Sequence, residues 1–255
     1  MAGPKLSAMV ALKGYGQFCP VSRAAEILAE RWTPLIVREL LCGSNRFNDL
    51  QRGVPRMSPA LLTRRLRELE HAGIVEHRRA DKGSGWEYHL TSAGLELRPI
   101  IEGMGLWAQR WVRDDLVAEQ NLDPDLLMWD IRRCVGSRPP PAERFVVQFR
   151  FAGMPSSRRH YWLVFDGGQP DLCLRDPGFD VDLLVSCTVR TLTEIWLGHV
   201  ATAAALEDGR LEVDGAPKLA DRFASWFGGS VFAAAGAAPA GQVARRAAAA
   251  GAGNG

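Results

Sequence analysis

From residue 16 onward the chain alternates between two hydrophobic rhythms. The first is helical. In SPALLTRRLREL (58–69), Leu62, Leu66 and Leu69 share one side of a helix, at about 100° per residue. Ala60, Arg64, Arg67 and His71 fall opposite, with Thr63 at the edge. Ser58 suits an N-cap, Pro59 the first helical position and Gly73 the stop, so the pattern predicts a helix from Pro59 to about Ala72. Upstream, Ser22 can cap a helix through Ile27, Leu28 and Trp32, and Thr33-Pro34 opens PLIVRELLCG, which stops at Gly43. RFNDLQRG (46–53) reads as a short helix anchored by Phe47 and Leu50, and VPRM as a turn. After Gly73 the period falls to two. IVEHRRA and WEYHLT are strand-like, with Trp86, Tyr88 and Leu90 alternating against Glu87 and His89, and the glycine-rich DKGSG (81–85) between them makes a hairpin. Thr91 then caps a helix carrying Leu97, Ile100, Met104, Trp107 and Trp111 on one stripe.

Residues 114–142 read as a linker, an acidic helix-like piece followed by GSRPPPAER, whose three prolines disfavour helix. Beyond it the chain turns β-rich. RFVVQFRF, HYWLVFDGG, PDLCLRDP and VDLLVSCTV are four strand candidates, and TLTEIWLGH and PKLADRFASWF are amphipathic helices around RLEVDG. From Ala233 the chain is rich in alanine and glycine with few large side chains, so 233–255 is expected to be a disordered tail, and 1–15 reads as a flexible N-terminal tail. The expected fold class is α+β in two domains, 16–113 and 143–232.

Charge sharpens that division. The net charge is only +2, but residues 1–113 hold 17 Lys and Arg against 11 Asp and Glu, and residues 114–255 hold 14 against 18. A basic first half points to a polyanionic partner. Five cysteines (19, 42, 134, 173 and 187) are scattered without zinc spacing, which suggests a reducing compartment. No apolar run is long enough for a signal peptide or a membrane span, so the expected location is the cytoplasm, with no membrane partner. There is no Ser/His/Asp set, phosphate loop or metal-ligand cluster, so neither an enzyme nor a cofactor is expected.

A short helix, a tight turn, a basic helix and a hairpin are the parts of a winged helix-turn-helix. The major groove of B-DNA, about 12 Å wide, admits one α-helix. Ser58, Ala60 and Thr63 are small or hydrogen-bonding, as base-edge contacts near a helix start should be; Arg64 and Arg67 can donate to guanine or phosphate. Arg56 suits a phosphate, and Arg78, Arg79 and Lys82 of the wing suit the backbone or the minor groove. The bland alternative is a solvated face neutralised by Glu68 and Glu70.

The stretch CPVSRAAEILAERWTPLIVRELLCGSNRFNDLQRGVPRMSPALLTRRLRELEHAGIVEHR, followed by YHLTSAG, resembles the HxlR-type winged helix-turn-helix transcriptional regulators over roughly residues 16–112. The resemblance implies a homodimer whose first and last helices pair across a two-fold axis on a pseudo-palindromic operator. That would employ the stripe Leu97, Ile100, Met104, Trp107 and Trp111 as the interface. Cys19 stands at the CPV position, which in some members senses electrophiles or oxidants. Residues 143–232 are similar to sterol-carrier-protein type domains, which hold lipid-like molecules in an apolar tunnel. Trp162, Phe165, Leu184, Trp196, Leu206, Phe223, Trp226 and Phe227 could line such a tunnel, or simply form a core. The expected function is a sequence-specific, ligand-modulated DNA-binding regulator, a homodimeric repressor. The alternatives are a redox sensor through Cys19 with a purely structural second domain, and a non-specific architectural DNA binder.

Overall fold

A computed structural model of the protein describes residues 14–80, 84–135, 144–167, 170–215, 217–220, 223 and 227–236. The chain divides into two units, Met1–Gly103 and Met104–Gly255. The first opens with α1 (Pro20–Leu28), α2 (Thr33–Leu41), α3 (Phe47–Gly53) and α4 (Pro59–His71). α1 begins at Pro20, with Cys19 in the cap position; Ser22 lies inside the helix and its hydroxyl donates to the Cys19 carbonyl at 2.8 Å. The helix expected to run through Trp32 ends at Leu28 instead. Pro34 explains this: inside a continuous helix its ring would collide with the carbonyl four residues back. The chain turns at Trp32, which takes a left-handed φ of +79°, and α2 starts at the next residue.

The hairpin pairs β1 (Val75–Arg79) with β2 (Trp86–Leu90) antiparallel, Val75 facing Leu90 and Arg79 facing Trp86. Thr91 caps a single turn, α5 (Ser92–Leu95), and a separate helix α6 (Arg98–Trp111) follows. One helix was expected here. Pro99 divides it for the same steric reason as Pro34. The core of this unit gathers Ile36, Val37 and Leu40 of α2, Leu50 of α3, Leu62, Leu66 and Leu69 of α4, Ile74 and Val75 around the first strand, and Ile101 of α6. Glu39 is fully buried within it, ion-paired with Arg38, and a Cβ on Gly53 would lie 1.8 Å from its carboxylate.

The second unit is built on a five-stranded sheet in the order β5-β4-β3-β6-β7: β3 (Phe145–Phe151), β4 (His160–Phe165), β5 (Asp171–Cys173), β6 (Leu183–Cys187) and β7 (Leu211–Gly215). β3 and β6 are parallel, and the other neighbours are antiparallel. The four strand candidates become β3 to β6, and RLEVDG supplies β7. Alternation separates the faces. Phe145, Val147, Phe149 and Phe151 point inward with Tyr161, Leu163, Phe165, Leu183 and Val185, against α9 (Val189–Trp196) and Phe223 and Phe227. A further short helix, α10 (Thr202–Glu207), connects α9 to β7. The expected linker contributes α7 (Arg113–Leu116) and then α8 (Pro124–Val135), whose Leu127, Met128, Ile131 and Val135 lie in this core. Position 114–142 is therefore part of the domain as far as Val135. Tyr161 ties the start of α8 to β4 by donating to Asp125 at 2.6 Å, and Arg158 bonds Asp123 and Asp125. Beyond 232, Ala233–Gly236 forms a helical turn; the rest of the expected tail, like residues 1–13 and the three prolines, lies outside the described residues.

Candidate nucleic-acid interface

The helix-turn-helix is α3, the turn Val54–Met57 and α4. Gln51 clamps the turn, its amide donating to the carbonyls of Met57 at 2.7 Å and Val54 at 3.3 Å. Ser58 caps α4 as expected, accepting from the Leu61 N–H at 3.3 Å. With Leu62, Leu66 and Leu69 buried, Ala60, Arg64, Arg67 and His71 are exposed on the opposite side and Thr63 is half-buried between. These side chains border an open groove of about 360 Å³ on the outward face. Thr63 donates back to the Pro59 carbonyl at 3.0 Å, and Arg64 donates to Glu68 at 2.9 Å while most of its side chain stays in solvent.

Arg65, the neighbour of Arg64, has the opposite fate. It is buried, donating to Glu30 of the α1–α2 connection at 2.6 Å and to Glu68 at 2.5 Å. Burial works against its charge, but hydrogen bonding and attraction from Glu68 and Glu30 outweigh this and raise its pKa. The same cations hold the Glu68 carboxyl below its usual range against desolvation. One ion-paired arginine thus fastens α4 to the scaffold while its neighbour reaches outward.

The wing is stiffened by stacked rings. His77 lies 4.4 Å from Tyr88 at 8° and 4.8 Å from Trp86, and the Arg79 guanidinium sits 5.6 Å from the centre of the Trp86 ring. Arg78 and Arg79 are exposed, as is Arg56 ahead of α4. Lys82 lies outside the described residues. The Tyr88 N–H donates to the Asn45 carbonyl at 2.7 Å, holding the hairpin to the loop before α3. Trp86 is half-exposed beside these cations; its alternation in the strand was legible, but its outward direction was not.

Along α6, Ile100, Met104, Trp107 and Trp111 form an exposed apolar face, while Leu97 is half-buried against the first unit's core. The opposite side of α6 is engaged within the second unit. Gln109 is buried, donating to the Leu197 carbonyl at 3.1 Å and accepting from or donating to His199 at 2.8 Å, and a Cβ on Gly105 would strike the Phe232 ring at 2.4 Å. Phe18 and Val21 at the start of α1 are also exposed. Sequence reasoning named neither Phe18 nor Val21, although these large apolar groups three positions apart were visible there. Cys19 is a partly buried free thiol at the α1 cap, and the nearby Arg23 is ion-paired with Glu26 at 2.5 Å.

The eight tunnel candidates do not converge. Phe165, Trp196, Phe223 and Phe227 lie in the inner core. Trp162 and Leu184 project from the other face of the sheet, because they sit one residue out of phase with Leu163 and Val185. Leu206 is partly exposed, and Trp226 lies outside the described residues. Among the described residues no group of His, Cys, Asp or Glu is arranged for a metal, and no helix is long and apolar enough to cross a membrane.

The profile of the HxlR-like helix-turn-helix family matches residues 27–116. An uncharacterised HTH-type transcriptional regulator of Bacillus subtilis, YvaP, is 38% identical over 98 residues, covering 38% of this chain and 91% of that protein. The HTH-type transcriptional regulator YodB of the same organism is 32% identical over 105 residues, covering 40% of this chain and 94% of YodB. The solved reduced form of YodB aligns at 32% identity over 37% of this chain and 94% of that one, with a TM-score of 0.33.

Proposed function

The chain belongs to the HxlR-like helix-turn-helix family, and from that membership we propose that it is a sequence-specific DNA-binding regulator acting as a homodimeric repressor. The outward face of α4 carries this reading. Small and hydroxylated groups, Ser58, Ala60 and Thr63, stand near its start, and Arg64 and Arg67 stand along its middle, in the order a major-groove helix requires. Arg56, Arg78, Arg79 and Lys82 are assigned to the sugar-phosphate backbone on either side. The Arg64–Glu68 pair is no obstacle, since an exposed ion pair is worth at most about 1 kcal/mol and a guanine or phosphate can replace the carboxylate. The exposed stripe Ile100–Trp111 supports pairing of two copies.

Regulation by an apolar molecule in a sterol-carrier-like second unit is supported only by the inner-face aromatics Phe165, Trp196, Phe223 and Phe227. A redox response through Cys19 is the second reading; a free, partly accessible thiol at the positive end of a nine-residue helix favours it.

The test is binding of the full chain to a duplex selected from a random library, against a scrambled duplex at equal salt. A regulator prefers its site by roughly 10³-fold or more. Arg64→Ala is expected to cost about 1–3 kcal/mol at the selected site and to narrow that preference. Equal binding of both duplexes by the parent protein would instead identify an architectural binder. An unaffected Arg64→Ala would overturn the placement of α4 in the groove.

A further inference from the structure

At the carboxyl ends of the two parallel strands, β3 and β6, the second unit opens into a crevice of about 550 Å³. Three arginines reach its wall from three separate elements: Arg150 from β3, Arg159 from the turn before β4, and Arg210 from the turn between α10 and β7. This runs against the charge of the region, since residues 114–255 carry more acids than bases. Arg210 is neutralised by Asp208 at 2.7 Å and approached by Glu194 at 3.7 Å. The Arg159 side chain donates only its Nε, to the Met154 carbonyl at 3.0 Å, and the Arg150 guanidinium makes no hydrogen bond or ion pair among the described residues.

The sheet register explains why Arg150 is left without a carboxylate. Arg150 pairs with Ser186 and Ser186 with Glu212, so the acid in the wall stands two strands away, at a spacing of roughly 10 Å. Ser186 lies between them with its hydroxyl facing the same side. Where β6 ends, Thr188 caps α9 by accepting from the Thr191 N–H at 3.0 Å, and the first backbone N–H groups of α9 remain unbonded within the helix. The side chains of Phe151 and Cys187 point to the opposite, inner face of the sheet and are buried there, so the wall beside Arg150 and Ser186 is polar. Burial pushes the Cys187 thiol up to about 12, so it offers no nucleophile. Convergent guanidinium groups and a hydroxyl beside the ends of parallel strands make a binding site, not a reaction centre.

We propose that this crevice binds a small anion, its carboxylate or phosphate oxygens held by Arg150 and Arg159 beside Ser186. The site lies wholly within the second unit and does not rest on the DNA reading.

The experiment uses the full chain, without DNA, at constant ionic strength balanced with sodium chloride. Saturation transfer to benzoate protons reports a carboxylate ligand, and phosphorus line broadening of inorganic phosphate reports a phosphate ligand. Saturable binding of one or both is expected, and the responding probe identifies the oxygen group. Arg150→Gln should weaken that binding at least tenfold. Its side chain is exposed and unbonded, so folding is retained, which circular dichroism checks. Arg144→Gln, an exposed arginine elsewhere in the unit that bonds Asp166, should stay within twofold of the parent. Absence of saturable binding for both probes overturns the proposal, as does an equal loss in the two variants. Operator binding is a separate assay, so failure here is distinguishable from failure of the DNA reading.

Discussion

Arg64 and Arg65 are identical in chemistry and adjacent in sequence, yet one faces solvent and the other is locked to Glu30 and Glu68. Helical phase separates them, and phase was readable from the leucines. What could not be read was the partner from 35 positions upstream, because nothing local marks Glu30 as facing α4. His199 shows the same limit. In the sequence it is a lone histidine; in the fold it meets Gln109, and burial, reinforced by the Arg113 charge and opposed by Asp114, pushes its pKa down to about 4. The unfolded chain then takes up the proton first as pH falls. The stability this group contributes is present above about 6.5 and is lost between 6.5 and 4. Urea unfolding at pH 7 and pH 5 should show the second unit weakened at the lower pH, with His199→Gln reducing the difference. At Cys19, Cys19→Ser should bind DNA as the parent does but resist release by diamide or a quinone. Equal release of both proteins would remove the thiol reading.

At the scale of elements, the hydrophobic period located nearly every helix and strand, and proline decided where two of them stop. Pro34 was legible as the start of a new helix, whereas Pro99 divides a run expected to be one helix, and both breaks follow from a missing N–H and a ring collision. The α8 segment belongs to the core although the neighbouring PPP dominates the local composition, because its own Leu127, Met128 and Ile131 stand at core spacing. α6 carries the clearest consequence. Its Gly105–Gln109 side is engaged within the second unit, and its Ile100–Trp111 side is exposed. Four large apolar side chains on one face represent several kcal/mol of available burial at about 25 cal/mol per Å². Sedimentation should find the parent protein dimeric and Trp107→Glu shifted to monomer with unchanged helicity. A monomeric parent would contradict a pairing role for this face.

At the scale of the whole molecule, the asymmetry of charge marks two units of different composition, and the period change near residue 143 marks the sheet of the second. Those properties belong to the chain because periodicity, capping and net charge are sums over neighbours. The tertiary structure decided what depends on distant residues meeting. It placed Trp162 and Leu184 on the opposite face of the sheet from Phe165 and Trp196, so eight apolar positions that looked alike in sequence do not share one lining. It brought Arg150, Arg159 and Arg210 to one crevice from positions up to 60 residues apart. Strand order and register set those meetings, and register is fixed by the packing of one complete face against the core, which no local stretch of sequence contains.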